Sequence, residues 1–323
     1  MRSPERDART PSPNAPPPPA ISLILATVGE DARLADLLAS LRTQTFRDFE
    51  AIVVDQSGDD RLVALVDACR RSFALRHVRH ARGLSRSRNA GLRLAAGGIV
   101  GFPDDDCRYD ADVLERVHRF LANAPDIEGL TGRAVFDAAE HPPARFARRP
   151  QWVVPAKVWT QGISCTIFLR RALVARNGPF DEGLGLGSDT RWIAAEESEY
   201  LLRAVKRHAR IWYDPDLTVH HPGHRGRFTV VERTRGHAYA RAMGHVMRLH
   251  AASVPQVAYQ LARPVGGALV GACHGRLDVA RFHLGVLRGR WRGWRDCDAV
   301  PRGADSEWDL GVQQAAAAEP ERA

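Results

Sequence analysis

Three aspartates in a row, Asp104, Asp105 and Asp106, close the stretch "GLRLAAGGIVGFPDDD" just where a run of small and β-branched apolar residues ends. Crowded carboxylates raise one another's pKa and repel unless a cation sits among them. Oxygen ligands of this kind suit Mg²⁺ or Mn²⁺, which bind through one or two carboxylates together with substrate phosphates. The plainer alternative is a solvated acidic turn capping the helix that follows, "ADVLERVHRFLANA". Position after a buried strand favours the metal. Asp55 ends a second apolar run, "FEAIVVD", and "EESEYLLRAVKR" opens on Glu196, Glu197 and Glu199, where a helix dipole also favours acids. Further on, "DPDLTVHHPGH" supplies His220, His221 and His224. A neutral imidazole can complete an oxygen-rich metal site, and structural histidines are the alternative for each.

The elements that must position these residues alternate. "ISLILATVG" is a short β-rich run closed by Gly29, and "ARLADLLASLRTQ" after it carries Leu34, Leu37, Leu38 and Leu41 at helical spacing. "FEAIVVDQSGDD" predicts a second strand, "RLVALVDACRRSF" a helix and "LRHVRH" a short strand. "SRSRNAGLRLAAG" predicts a third helix and "GIVGFPDDD" the next strand. Repeated strand and helix units imply an α/β fold, a mostly parallel sheet with helices on both faces. In such sheets ligands bind beyond the carboxyl ends of the strands, which is where Asp55 and the three aspartates fall.

Composition sets the outer limits. The 323 residues are 44% hydrophobic, enough for one large core or a core with a smaller appendage. Cys69, Cys107, Cys165, Cys273 and Cys297 form an odd, scattered set without CxxC spacing. Neither a disulfide framework nor a thiolate metal site is suggested, and a reducing cytosol is the default. The net charge of +8 is uneven: residues 223–295 hold thirteen Arg and no Lys against Glu232 and Asp278, leaving the remainder at −3. Such placement argues for a local anionic partner in the C-terminal third and against a nucleic-acid footprint. Residues 1–20 are Pro-rich without an apolar core, and 296–323 look similarly loose, so both are expected to be disordered.

Four ordered blocks between about Ile21 and His224 resemble the inverting GT-A glycosyltransferases of glycosyltransferase family 2. "ISLILATVG…FEAIVVDQSGDD" looks like the family's opening strand and "VVDDGS" turn, although "DQSG" replaces "DDGS". The resemblance assigns Asp55 to the nucleotide base or ribose, with Thr27 beside it. "RSRNAG" matches the family's "ARNxG" helix start and makes Arg88 a candidate nucleotide contact. "VGFPDDDC" looks like its DxD element, which would turn Asp104 to the ribose, Asp105 to the sugar and Asp106 to a divalent metal, Mn²⁺ or Mg²⁺, bridging the diphosphate. "GPFDEGLGLGSDTRWIAAEESEYLL" looks like its "GxFDE" loop and "GEDxDL" helix start. Glu197 then stands where the family's catalytic Asp is usual, one methylene longer, and Ala195 where Gly is common. Aligning Pro215 with the family's proline puts His221 at the metal position. The resemblance implies a catalytic domain over 21–225, a nucleoside-diphosphate sugar donor and a hydroxyl acceptor.

Residues 226–295 are expected to be a basic helical segment. In "RFTVVERTRGHAYARAMGHVMRLHAAS" the residues Val231, Thr234, Ala238, Ala242, Val246 and Leu249 fall on one stripe. Arg263 and Pro264 interrupt the next apolar stretch, so no membrane span is predicted. In "RLDVARFHLGVLRGRWRGWR" a stripe of Leu277, Ala280, Leu284, Leu287, Trp291 and Trp294 is flanked by Arg281, Arg288, Arg292 and Arg295. Two readings stay open: a helix lying in an anionic membrane interface, serving a lipid-linked or polymeric acceptor on the cytoplasmic face, or a helix packed on the catalytic domain. Rival functions are a sugar-phosphate nucleotidyltransferase and a catalytically silent protein binding anionic surfaces. The first wants a Gly-rich basic loop after the opening strand, and "ATVGEDARL" has one Gly and two acids.

Overall fold

The computed structural model describes residues 17–29, 31–137, 146–223 and 228–296. Residues 1–16 and 297–323, and with them most of both termini expected to be disordered, lie outside the described residues, as does His224. The expected alternation is present: β1 (Ile21–Thr27), α1 (Asp31–Arg42), β2 (Phe49–Asp55), α2 (Val63–Arg70), β3 (Ala74–Arg79), α3 (Leu84–Leu94) and β4 (Ile99–Gly101). They pair in parallel in the order β3-β2-β1-β4, with Thr27 in register with Asp55. An isolated parallel bridge between Ala26 and Asp104 carries the β1 pairing past the end of β4 into the aspartate turn.

Beyond β4 the sheet becomes mixed. β5 (Arg108–Tyr109), α4 (Val113–Asn123), β6 (Gly129–Asp137), β7 (Gln151–Trp152), β8 (Ile167–Arg170), α5 (Arg171–Asn177), α6 (Glu196–Lys206) and β9 (Ile211–Pro222) complete it. The order is β3-β2-β1-β4-β8-β6-β9-β5, with β7 also on β9. β8 runs antiparallel to β4 and β6, whereas β6 and β9 are parallel. The side chains of β1 divide between two buried clusters, one on each face of the sheet: Leu23 and Leu25 pack with α1 and α4, Ile24 with α3, α5 and α6. β1 is therefore an apolar run with no polar face, as expected of a strand covered on both sides.

Three long helices follow: α7 (Val230–Leu249), α8 (Val254–Cys273) and α9 (Leu277–Arg295). Helix α8 runs through Pro264, and no helix among the described residues is long and apolar enough to cross a membrane. The packing faces differ from the stripes in the sequence. On α7, Val231 is exposed, while Ala242 and Val246 join the cluster beneath α6, and His245 stacks on Trp192 at 4.0 Å. On α9 the buried residues are Ala280, Gly289 and Gly293, whereas Leu277 (59% exposed), Leu284 (43%) and Trp291 (45%) face outward.

Glycine makes this crossing possible. A Cβ on Gly293 would stand 1.8 Å from the Arg241 carbonyl oxygen, and one on Gly244 would stand 2.1 Å from that of Arg290. Both obstacles are backbone, which cannot swing aside, so α7 and α9 would have to separate. Overpacking of this kind typically costs about 1–3 kcal/mol. Gly293→Ala is expected to lower stability by about that amount in urea unfolding, and a change below a few tenths would show that the seam is slack.

Candidate active site

Three of the four sequence blocks meet at one buried guanidinium. Arg88, only 2% exposed, donates from Nη1 to Glu196 Oε1 (2.9 Å) and from Nη2 to Asp104 Oδ1 (3.1 Å). The neighbouring Asn89 receives the Phe180 amide on Oδ1 (2.8 Å) and donates from Nδ2 to the Phe180 carbonyl and to Glu182 Oε1. Gly91 lets α3 lie against β1, since a Cβ there would meet Ile24 at 2.4 Å. Every residue of "RNAG" thus has a part in the packing, Ala90 against the apolar cluster on that face of the sheet. Arg88 ties the aspartate turn to the glutamate helix, Asn89 holds the "GPFDE" loop, and Gly91 sets the depth of α3. With both Nη atoms taken inside the protein, Arg88 is placed to position the acids around it.

Those acids are held differently. Asp104 accepts from Ser164 Oγ on both carboxylate oxygens (2.9 and 2.8 Å) in addition to Arg88. Asp105 accepts from Thr27 Oγ1 at 2.7 Å, which links it to the end of β1. Asp106 faces His221, with Oδ1 3.2 Å from Nε2, and lies 3.8 Å from Arg33. Burial raises the Asp106 carboxyl above its ordinary range and Asp104 adds to that, against the opposing pull of His221 and Arg33. Asp55 sits one strand away, 1% exposed, with Oδ1 accepting from the Ser57 amide (2.8 Å) and Oδ2 beside His77 Nε2 (2.9 Å). Burial alone would raise its pKa; the hydrogen bonds from Ser57 and His77 outweigh it and hold the carboxyl below the ordinary value.

At the start of α6 the three acids divide. Glu196 is spent on Arg88, and Glu199 accepts from Arg203 (2.9 Å) and lies 3.1 Å from His250 Nε2. Successive helix residues point about 100° apart, so Glu197 faces elsewhere. It borders a small crevice with Phe102, Ser164 and Tyr200. No side chain among the described residues donates a hydrogen bond to Glu197. Dense surroundings push its pKa well above the usual carboxyl range, the Glu196 charge adds to this, and Arg88 opposes it. The residue before the helix, Ala195, has φ 70° and ψ 16°. That left-handed conformation costs a residue with a Cβ about 1–2 kcal/mol, a physical reason for the Gly that the resemblance led one to expect.

Of the residues picked out in the sequence, the structure brings Arg88, Asp104, Asp105, Thr27, Asp106 and His221 into one connected group, with Glu197 beside it and Asp55 on the adjoining strand. His220 goes elsewhere, 3.0 Å from Asp137 and 3.4 Å from Asp110. Ser164, Arg33, His77 and the pairing of Glu196 were not visible beforehand. "GISCTIF" carries no periodic or motif signal at Ser164, which lies 60 residues from its partner Asp104. Asn89 did have a signal, since it stands inside "RSRNAG", but only its neighbour was singled out.

A fold of this topology with carboxylates at the strand ends defines the GT-A class, and comparisons agree. The family model described as Glycosyl transferase family 2 matches residues 22–172. An uncharacterized glycosyltransferase of Haemophilus influenzae is 31% identical over 109 residues, 33% of this chain and 36% of that protein. A PGL/p-HBAD biosynthesis glycosyltransferase of Mycobacterium tuberculosis is 32% identical over 107 residues, 32% of this chain and 42% of that one. The chain thus aligns with between about a third and two fifths of the length of these relatives. Among solved structures, the mannosyltransferase PcManGT of Pyrobaculum calidifontis, in complex with GDP-Man and Mn²⁺, superposes with TM-score 0.59 at 17% identity, covering 90% of this chain and 92% of that one. S. aureus TarS 1–349 in complex with UDP-GlcNAc gives 0.54 at 18%, covering 84% and 92%. Residues 22–172 are thus similar to glycosyltransferase family 2, and the fold is GT-A.

The Glu197 environment makes stability depend on pH. A carboxyl whose folded pKa is raised binds its proton more tightly in the folded state, so stability is full below the ordinary carboxyl range and falls as pH climbs from there through the folded pKa. Glu197→Gln is expected to remove part of that fall: similar urea midpoints for variant and wild type at pH 5, and a higher midpoint for the variant at pH 8. Parallel pH profiles would show that Glu197 is not strained in the folded protein.

Proposed function

We propose that the chain transfers a glycosyl group from a nucleoside-diphosphate sugar to an acceptor hydroxyl, inverting the anomeric carbon in a single displacement. The observation that carries this is the Arg88 bridge, which ties the aspartate turn to the first turn of the glutamate helix and so brings the proposed leaving-group residues and the proposed base to one region of the fold. In the proposed step the acceptor oxygen bonds to the anomeric carbon as the bond from that carbon to the diphosphate breaks. Glu197 takes the acceptor proton. Its raised pKa suits that role, because a base works best with a pKa near the operating pH. Thr27, Asp55, Asp104 and Asp105 are assigned to the nucleoside and sugar end. For Asp55 the contribution is to fix the turn around Ser57, since both its oxygens are engaged within the protein.

Asp106 and His221 have the chemistry to hold Mn²⁺ or Mg²⁺. His221 Nδ1 faces the Pro222 carbonyl at 3.0 Å, so a neutral ring carries its proton there and turns the Nε2 lone pair toward Asp106. At 3.2 Å the two atoms can share a proton, and with both deprotonated they could hold one cation; a ligating His with its other nitrogen on a carbonyl is the usual arrangement. When bound, the ion would supply positive charge against the departing diphosphate. Among the described residues no group of three His, Cys, Asp or Glu side chains that could hold a metal ion is present.

Two variants test the reading. Glu197→Gln is expected to lower turnover by about 10² to 10⁴ while leaving donor affinity nearly intact. Asp106→Asn should abolish Mn²⁺-dependent binding of a nucleoside diphosphate in calorimetry. Wild-type turnover in the first at saturating acceptor would move the base elsewhere, and unchanged affinity in the second would remove the metal.

For the C-terminal helices we propose peripheral contact with an anionic membrane on the cytoplasmic side, where a lipid-linked or polymeric acceptor would be met. The support is the outward face of α9, with Leu277, Leu284 and Trp291 exposed beside Arg281, Arg288, Arg292 and Arg295. Near such a surface each Arg contributes about 1 kcal/mol. Sedimentation with vesicles rich in phosphatidylglycerol is expected at low salt and to weaken at high salt; absence of binding at low salt would leave the face without this role.

A further inference from the structure

The chain has 46 basic residues, of which only Lys157 and Lys206 are lysines. Both lie at the mouth of a cleft of about 370 Å³ formed where the end of α6 and the segment around Trp159 meet the start of α8. Lys157 Nζ donates to Gln151 Oε1 (2.8 Å), and Lys206 Nζ donates to the His250 carbonyl. Neither has a carboxylate within ion-pair distance among the described residues, whereas Arg203, on the same helix as Lys206, is paired with Glu199. The positive charge at the mouth is therefore not neutralised locally.

Behind the lysines the walls are apolar: Trp159, Leu202, Met247 and Tyr259. The volume falls in the range of small-molecule sites. Gln260 also lines the cleft; it is 4% exposed, and its Oε1 has no hydrogen-bond partner. That oxygen is closed off from solvent, so a ligand hydroxyl would reach it once the Gln260 side chain turns toward the cleft, relieving the cost of an unmet buried acceptor. The positive potential deepens on that side, because Arg290 donates to the Gln260 carbonyl and has no carboxylate partner among the described residues. Burial, with the charge of Arg263, pushes the Arg290 pKa down to about 10.

Two cationic side chains lining one cleft, its apolar walls and the unmet amide oxygen of Gln260 beside it match one ligand chemistry. We propose that this cleft binds a single acidic phospholipid, its phosphate between Lys157 and Lys206, its glycerol hydroxyls toward Gln260 and an acyl chain along Trp159, Met247 and Tyr259. The site is separate from the Asp104–Asp106 crevice and does not depend on the activity proposed above. It would add a stoichiometric lipid contact to the diffuse attraction of the arginine-rich face.

Calorimetric titration of the full chain with lysophosphatidylglycerol below its critical micelle concentration is expected to show one saturable site. Lysophosphatidylcholine, with the chain but no net charge, and glycerol 3-phosphate, with the charge but no chain, should each bind at least 10-fold more weakly. The Lys157→Gln/Lys206→Gln double variant should lose at least 10-fold in affinity for lysophosphatidylglycerol while keeping its melting temperature and its nucleoside-diphosphate affinity. That last measurement separates failure of the lipid site from failure of the donor site. Unchanged affinity in the double variant, or equal binding of either control ligand, would overturn the proposal.

Discussion

The guanidinium of Arg88 is the constraint on which the active site depends. It is a buried charge whose desolvation is offset chiefly by Glu196 and Asp104, with Glu197 adding to them, residues that come from a helix and a turn far apart in sequence. Removing one partner of such a group typically costs about 3–5 kcal/mol, because the others are left charged and unmet. The geometry is accordingly all-or-none: with Arg88 in place the turn after β4 and the first turn of α6 have one mutual arrangement. A planar, two-pronged donor suits this better than a lysine, since its two Nη atoms can serve two acids at once.

That bridge also gives the acids different roles. Asp104, Glu196 and Glu199 have their oxygens engaged inside the protein: Asp104 by Arg88 and Ser164, Glu196 by the same Arg88, and Glu199 by Arg203 with His250. Asp106 and Glu197 are left with raised proton affinities and fewer internal partners. Neighbouring carboxylates can thus differ in chemistry although their residue type is the same, because environment decides which charge is already compensated.

The helices after β9 extend this scaffold. Trp192, in the loop ahead of α6, stacks on His245 of α7, and His250 at the end of α7 reaches Glu199. α9 is held by backbone proximity through Gly244, Gly289 and Gly293 and by Phe282 stacked on Phe228, which leaves Leu277, Leu284 and Trp291 facing outward. The outward Leu and Trp residues follow from that choice of seam, and a helix that packs through glycine keeps its other face for a partner.

The sequence by itself determined the elements whose signals are local. Apolar runs and helical spacing from Ile21 to Asp106 placed β1 to β4 and α1 to α3 close to where they lie, and parallel pairing with acids at the strand ends followed from chain connectivity. Arg88, Asp104, Asp106, Glu197 and His221 were marked by the resemblance of four ordered blocks to a known family, since each block alone is weak. Short strands such as β5 and β7, and the antiparallel insertion of β8, left no periodic trace because two to four residues cannot establish one. Tertiary structure alone decided who meets whom: that Arg88 turns inward to two acids, that Ser164 completes Asp104, and that His221 and not His220 faces Asp106. It also settled the face of α9, where a hydrophobic stripe announced itself in the sequence but the glycines, silent in any hydrophobicity pattern, made the contact. Close backbone approach is a property of the missing side chain, and it becomes visible only when the second helix is in place.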